Sequence, residues 1–119
     1  MLKTSIAFII LLFSFLNCTS EEVRIGVAIP LKGEQSVMAK GIRQGAQLAV
    51  EEWNLRGGAL GKRVVLEIMD DEANSEKAVE VAKELINKRV IGVIGHMNSN
   101  CSISASQIYE EGSGVVMIS

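Results

Sequence analysis

Serine 99 and its neighbours are where this chain could do chemistry. From Val90 the sequence reads VIGVIGHMNSNCS: an apolar run closes at Gly95, then His96, Asn98, Ser99, Asn100 and Ser102 follow. A loop leading from a strand into a helix offers backbone N–H groups and the positive end of a helix dipole, which suits a carboxylate or phosphate. Ser99 adds a hydroxyl that can donate. Asn98 and Ser99 are also ordinary N-cap residues, and capping and ligand contact are compatible. His96 is the only histidine. One histidine with no cluster of Cys, Asp and further His argues against a metal centre or a catalytic triad. Asp70-Asp71-Glu72 lacks the ligand spacing of a cation site and reads as the solvated end of a strand.

Other chemistries are excluded by pattern. After the first strand the chain runs PLKGEQS, with one glycine and no Gly-x-Gly, so the dinucleotide fingerprint is absent. Gly61-Lys62 lacks the glycine spacing and the following Ser or Thr of a phosphate-binding loop. With 48% apolar residues and a net charge of −2, the chain is neither disordered nor polybasic. Aromatics at 4% provide no base-stacking platform, and no nucleic acid is expected. The candidate loop contains no obvious catalytic group.

The elements that must position this loop follow from periodicity. In Val23 to Ile29 the large apolar residues fall at 23, 25, 27 and 29, with Gly26 and Ala28 opposite, which predicts a strand with a helix packed close on its small-residue face. A helix is expected from about Ser36 to Arg56, with the stripe Met38, Ile42, Ala46, Ala49 and Trp53. Gly41 and Gly45 inside it suggest close packing on the sheet, and Gly57-Gly58 a helix stop. A second strand spans Arg63 to Asp70, and a second helix, capped by Asn74 or Ser75, reaches Lys88 with stripe Ala78, Ala82, Leu85 and Ile86. Lys88 and Arg89 suit its C-terminal end. The third strand is Val90 to Ile94, the third helix runs from Ser99 to about Glu111 with Ile103, Ile108 and Tyr109, and a fourth strand starts at Val115.

Such alternation gives an α/β fold, a parallel sheet with helices on both faces. With right-handed connections and strand order 2-1-3-4, the first helix lies on one face and the other two on the opposite face. Ligands bind such sheets at the switch point, beyond the carboxyl ends of strands one and three. The loops there are Leu31 to Ser36 and His96 to Asn100, so topology selects the Ser99 loop independently of its chemistry.

The N-terminus reads differently. Lys3 precedes an apolar run, Ile6 to Leu16, broken only by Ser14 and too short to span a bilayer. Residues 1–17 read as a signal peptide, 18–22 as a tether and 23–119 as the folded lobe. Cys18 has two readings. It is either a lipid-anchor cysteine, resembling bacterial lipoprotein signals with Phe15 and Asn17 at the positions where Leu and a small residue are usual, or a cysteine beside an ordinary cleavage site. Export permits disulfides, but a lipidated Cys18 leaves Cys101 as a free thiol.

The stretches IGVAIPLKGEQ, GIRQGAQLAVEEWNLRGGALGKRVVLEIMDDEANSEKAV and VIGHMNSNCSISASQIYEEGSGVVMIS resemble the substrate-binding proteins of branched-chain amino-acid ABC transporters, the leucine/isoleucine/valine-binding proteins of the type I periplasmic binding fold. The similarity runs from Val23 to Ser119. It implies two α/β lobes closing on an amino acid, delivery to a membrane permease, no cofactor, and an exported location, periplasmic or on the outer surface. It further implies that Ser99 meets the ligand carboxylate and that Met97 and Asn98 line the side-chain pocket. Met38 stands where the family usually carries an aromatic residue. Some relatives join the loops after strands two and three by a disulfide; Ala73 and Asn98 stand at those positions, so no bridge is expected. Family members are about three times longer, so residues 23–119 are expected to form an incomplete N-terminal lobe. A ligand-sensing receptor ectodomain built on the same lobe is the alternative.

Overall fold

The computed structural model describes residues 21–112 and 114–119. The expected signal segment and Cys18 lie outside the described residues. Strands and helices alternate: β1 (Glu22–Ile29), α1 (Ser36–Leu55), β2 (Arg63–Asp70), α2 (Ser75–Asn87), β3 (Gly92–Gly95), α3 (Ser99–Gly112) and β4 (Val116–Ile118). The strands form one parallel sheet in the order β2-β1-β3-β4, the order expected from the sequence. Glu22, placed in the tether by sequence, is already paired in β1 opposite Arg63.

Central β1 is flanked on both edges, and its last four residues, Gly26 to Ile29, are buried. Alternation divides it between two cores. Val27 and Ile29 pack with Ala39 and Ala46 of α1, with Leu66, Ile68 and Ile94 against them. Ala28 packs on the other face with Val93 and with α2 and α3, through Ala78, Val81, Ala82, Leu85, Cys101, Ala105 and Tyr109. The small-residue face of β1 does receive a closely packed helix. A Cβ at Gly26 would lie 2.9 Å from Cδ1 of the fully buried Leu85.

The middle of the expected α1 stripe is buried as read, with Ala46 in the core and Ile42 against it, but its ends are corrected. Ala39 and Ala46 are its buried residues, whereas Met38 is 71% exposed and Trp53 56% exposed. A 3.6-residue period fits adjacent rows almost equally well, and the sheet selected the row of small residues that lets α1 approach. Gly41 and Gly45, expected to mark close packing, instead face open space. The predicted stop after α1 is present: Gly58 N–H bonds the Trp53 carbonyl at 2.8 Å, and Gly58 has φ 78°. A Cβ at Gly58 would fall 1.9 Å from the Lys62 carbonyl oxygen.

Helix α2 is capped as expected, with the Asn74 side chain accepting from Lys77 N–H at 2.9 Å. Lys88 and Arg89, expected in its last turn, lie beyond its end. Lys88 reaches Glu67 at 3.2 Å, and Arg89 takes the left-handed stop position with φ 59°. β3 starts two residues later than the apolar run suggested: Val90 is buried ahead of it, and Ile91 N–H bonds the Arg24 carbonyl at 2.9 Å.

Candidate functional site

Strand order β2-β1-β3-β4 places the switch point between β1 and β3, where chain connections leave in opposite directions. Pro30 and Leu31 leave β1 on one side of this crevice. His96 to Asn98 leave β3 on the other and enter α3 at Ser99. The two strand ends are tightly apposed. Ala28 pairs with Gly95, and a Cβ at Gly95 would lie 2.1 Å from the Ala28 carbonyl oxygen. Gly95 also has φ 111°, a conformation in which side chains are strained.

Ser99 is exposed as the first residue of α3, with its hydroxyl free to face solvent. The first amides of a helix have no carbonyl partner four residues back, so the α3 start presents donors together with the helix dipole. The helix proper opens with Ser102 N–H bonding the Asn98 carbonyl at 2.9 Å. Asn98 is half-buried, and its side-chain Oδ1 is enclosed without a hydrogen-bond partner. Its oxygen therefore does not cap α3. An enclosed acceptor left unpaired costs about 1–3 kcal/mol, so a donor brought to this loop would recover that energy. Met97 is half-buried against the cluster formed by Val27, Ile29, Ala39 and Ala46, which joins the loop to the core beneath α1. Met38 lies in the first turn of α1, exposed, on the helical row that continues through Ile42 to Ala49 and Trp53. Ser99, Asn98 and Met97 thus form one continuous wall, and Met38 stands on a separate element.

Of the three acids at the strand end only Glu72 is exposed. Asp71 is fully buried and Asp70 is part-buried. Asp70 Oδ1 accepts from Leu31 N–H at 2.9 Å and from Glu72 N–H at 3.0 Å. Asp71 Oδ1 accepts from Ala73 N–H at 3.1 Å, and its Oδ2 lies 2.8 Å from His96 Nδ1. These bonds hold a turn in which Glu72 and Ala73 both have φ 53°. The only histidine is likewise buried, 1% exposed, and its Nε2 lies 3.3 Å from the Tyr109 hydroxyl. Burial pushes the Tyr109 phenol up, and the Asp71 carboxylate pushes it further, so the phenol keeps its proton. The consistent arrangement has Nδ1–H donating to Asp71 and Tyr109 O–H donating to Nε2. Cys101, buried in the same core, has its thiol raised first by desolvation and then by Asp71. The sequence reading missed this Asp-His-Tyr chain. A sequence signal existed: Asp71 and His96 each follow a strand adjacent to β1, which brings their loops to one edge of the sheet.

Among the described residues no group of three or more His, Cys, Asp or Glu side chains could hold a metal ion, and no helix is long and apolar enough to cross a membrane. A hollow of about 460 Å³ lined by Pro30, Leu31, Ser36, Ala39, Lys40 and Arg43 lies along α1 and shares no residue with the β3 loop.

Comparison with known proteins agrees with this fold. The profile of a family described as periplasmic binding protein matches residues 22–119. The Leu/Ile/Val-binding protein homolog 2 of Brucella abortus (strain 2308) is 39% identical over 97 residues, covering 82% of this chain and 26% of the relative. An ABC transporter substrate-binding protein from Desulfitobacterium hafniense, solved in complex with Leu, is 38% identical with a TM-score of 0.69, over 82% of this chain and 28% of that one. The branched-chain amino acid transporter substrate-binding protein LivJ from Streptococcus pneumoniae, solved with isoleucine, superposes with a TM-score of 0.76 at 26% identity, again over 82% and 28%. This chain spans between a quarter and a third of the length of these relatives.

Proposed function

This chain belongs to the periplasmic binding protein family, and from that premise we propose that residues 23–119 form one jaw of a clamp for a branched-chain or other aliphatic amino acid, serving as the extracytoplasmic solute-binding component of an ABC transporter. The observation that carries the reading is the coincidence of two independent lines at one place. Topology supports a crevice at the β1–β3 switch point, and the loop beside it leads into a helix start bearing Ser99. The names of the relatives, which describe Leu/Ile/Val-binding proteins and a Leu complex, supply the ligand class.

In this reading the α3 N-terminus and the Ser99 hydroxyl receive the ligand carboxylate. Met97 and Asn98 border its side chain, with Met38 contributing an adaptable apolar contact from α1. The second jaw is supplied by further chain of the kind the longer relatives possess, because closure around a ligand takes two lobes. The partner is a membrane permease, and Cys18 is the site of a lipid anchor holding the protein at the membrane surface.

A chimera tests the ligand. Residues 22–119 replace the matching segment of the D. hafniense protein, and calorimetric titration follows with leucine, isoleucine and valine. Binding of at least one is expected, and a properly folded chimera that binds none of them rejects the amino-acid reading. In the same chimera Ser99→Ala is expected to weaken binding by about 1.5–3 kcal/mol, as loss of a hydrogen bond to a charged group does. Unchanged affinity would reduce Ser99 to a helix-start residue. For Cys18, mass spectrometry of the membrane fraction from cells expressing the chain is expected to show the mass of an added lipid, and an unmodified thiol would remove the anchor.

A further inference from the structure

The adjacent acids at the end of β2 reach opposite lips of the switch-point crevice. Asp70 receives Leu31 N–H, the first amide after Pro30 on the β1 side. Asp71 receives the ring of His96, the first residue after β3 on the other side. Successive residues of a strand point to opposite faces, so two neighbouring aspartates can serve two different loops. We propose that Asp70 and Asp71 are positioning residues of the ligand crevice, with the Asp71–His96–Tyr109 chain fixing the Met97–Ser99 wall. The proposal rests on reading this crevice as the ligand site.

The geometry on the β3 side is closed all the way round. Both ring nitrogens of His96 are engaged, by Asp71 at 2.8 Å and by Tyr109 at 3.3 Å, so its ring has no free rotation. The His96 carbonyl accepts from Ser102 Oγ at 2.8 Å, and Ser102 N–H bonds the Asn98 carbonyl. Met97 and Asn98 are therefore spanned by bonds anchored at both ends. Asn100 Nδ2 bonds Ser75 Oγ at 3.1 Å, tying the same helix start to the start of α2. The groups facing the His96 ring are the Asp71 carboxylate from the loop after β2 and the Tyr109 phenol from α3, and the Cys101 thiol of α3 lies in the same core. A buried carboxylate–imidazole–phenol chain is an expensive way to fill a core, since an apolar trio would pack without desolvating a charge. What it supplies is direction: hydrogen bonds fix the angle at which the loop leaves β3, which apolar packing leaves free.

The test uses the ¹⁵N-labelled full chain in solution. In the wild type, the ring nitrogen shifts of His96 at neutral pH are expected to show the proton on Nδ1. Tyr109→Phe keeps the ring volume and removes only the hydroxyl, and Asp71→Asn keeps the side-chain shape. In both variants amide exchange at Ser102, whose N–H bonds the Asn98 carbonyl, is expected to accelerate by about tenfold or more while β1 amides change far less, the signature of a local opening. Acceleration spread evenly over sheet and loop, or loop exchange left unchanged in Tyr109→Phe, overturns the proposal. A large excess of leucine is then added to the two-lobed chimera and to the chimera carrying each variant, because one jaw alone does not close on a ligand. Shifts confined to Asn98 and Ser99 in the unsubstituted chimera, reduced in both variants, are the expected result, and shifts of equal size in all three proteins overturn positioning. If the unsubstituted chimera shows no leucine shifts while the exchange effects remain loop-selective, the amino-acid reading falls and the positioning role stands.

Discussion

Gly95 is the residue on which the crevice closes. Its φ of 111° and the 2.1 Å separation from the Ala28 oxygen that a Cβ would have leave no room for any side chain, because the obstacle is backbone and cannot rotate away. Gly95→Ala is expected to destabilise the fold by about 3 kcal/mol or more, combining strained φ with overpacking, as read by urea unfolding. At Gly26 the obstacle is the end of the Leu85 side chain, which can shift, so Gly26→Ala should cost less, about 1–3 kcal/mol. A reversed ranking of the two would contradict the geometry. Cys101 gives a second test at this scale. It is fully buried, and desolvation together with the nearby Asp71 carboxylate raises its thiol, so the reactive thiolate is scarce and shielded. Mass spectrometry of the Cys101 peptide after treatment with an alkylating agent is expected to show no label in the native chain and full label after unfolding. Rapid native labelling would place the thiol at the surface.

Asn54 shows how one side chain sets the relation between two elements. Near the end of α1 it acts as a short piece of strand: its Nδ2 donates to the Val64 carbonyl at 2.9 Å and its Oδ1 accepts from Val64 N–H at 2.8 Å. Val64 is buried, so Asn54→Ala leaves both backbone groups unpaired and is expected to cost about 2–3 kcal/mol in chemical denaturation. A cost below 1 kcal/mol would mean that water replaces the amide. The opposite sign is expected on the outer face of α1. Gly41 and Gly45 have ordinary helical backbone and open space where a Cβ would go, so each change to Ala should stabilise by about 0.5–1 kcal/mol. Elements of this kind are legible before folding is considered. Alternation located β1, an apolar run located β2, Asn74 announced its helix, and the strand order assumed with right-handed connections is the one observed. The Ser99 loop was legible once that strand order was assumed, since the order sends it to the switch point. What sequence could not resolve depends on which neighbouring row or loop wins in three dimensions. Met38 and Trp53 fit the same helical period as the buried Ala46, while Ala39, one residue from Met38, takes the buried place. Asp71 and His96, separated by 25 residues, become a pair only once β2 and β3 flank the same strand.

The sheet is covered unevenly by the described residues. Among the described residues, helices α2 and α3 share one face of the sheet and α1 stands alone on the other. It shelters the β1–β2 half and leaves a hollow of about 310 Å³ whose walls include Val23, Ile25, Trp53, Ile91 and Ile94. The same bare half continues onto β4, where Ile118 pairs beside Ile94 and is 70% exposed, with Val116 and Ile91 each 63% exposed. Contiguous exposed apolar surface drives association, and a strand with an open edge adds backbone groups ready to pair. The chain starting at Glu21 is therefore expected to self-associate with rising concentration in sedimentation velocity. Ile91→Glu and Ile118→Lys together place charges on this face at positions already more than half exposed, where a substitution alters stability by only about 0.5 kcal/mol. The double variant should remain monomeric at concentrations where the parent does not, with its urea midpoint nearly unchanged. Charges on the outer face of α1, at Val37 and Leu48, which are 80% and 58% exposed, form the control. If that pair abolishes association and the β3–β4 pair does not, the contact runs through the α1 surface and the bare sheet half is not the sticky face.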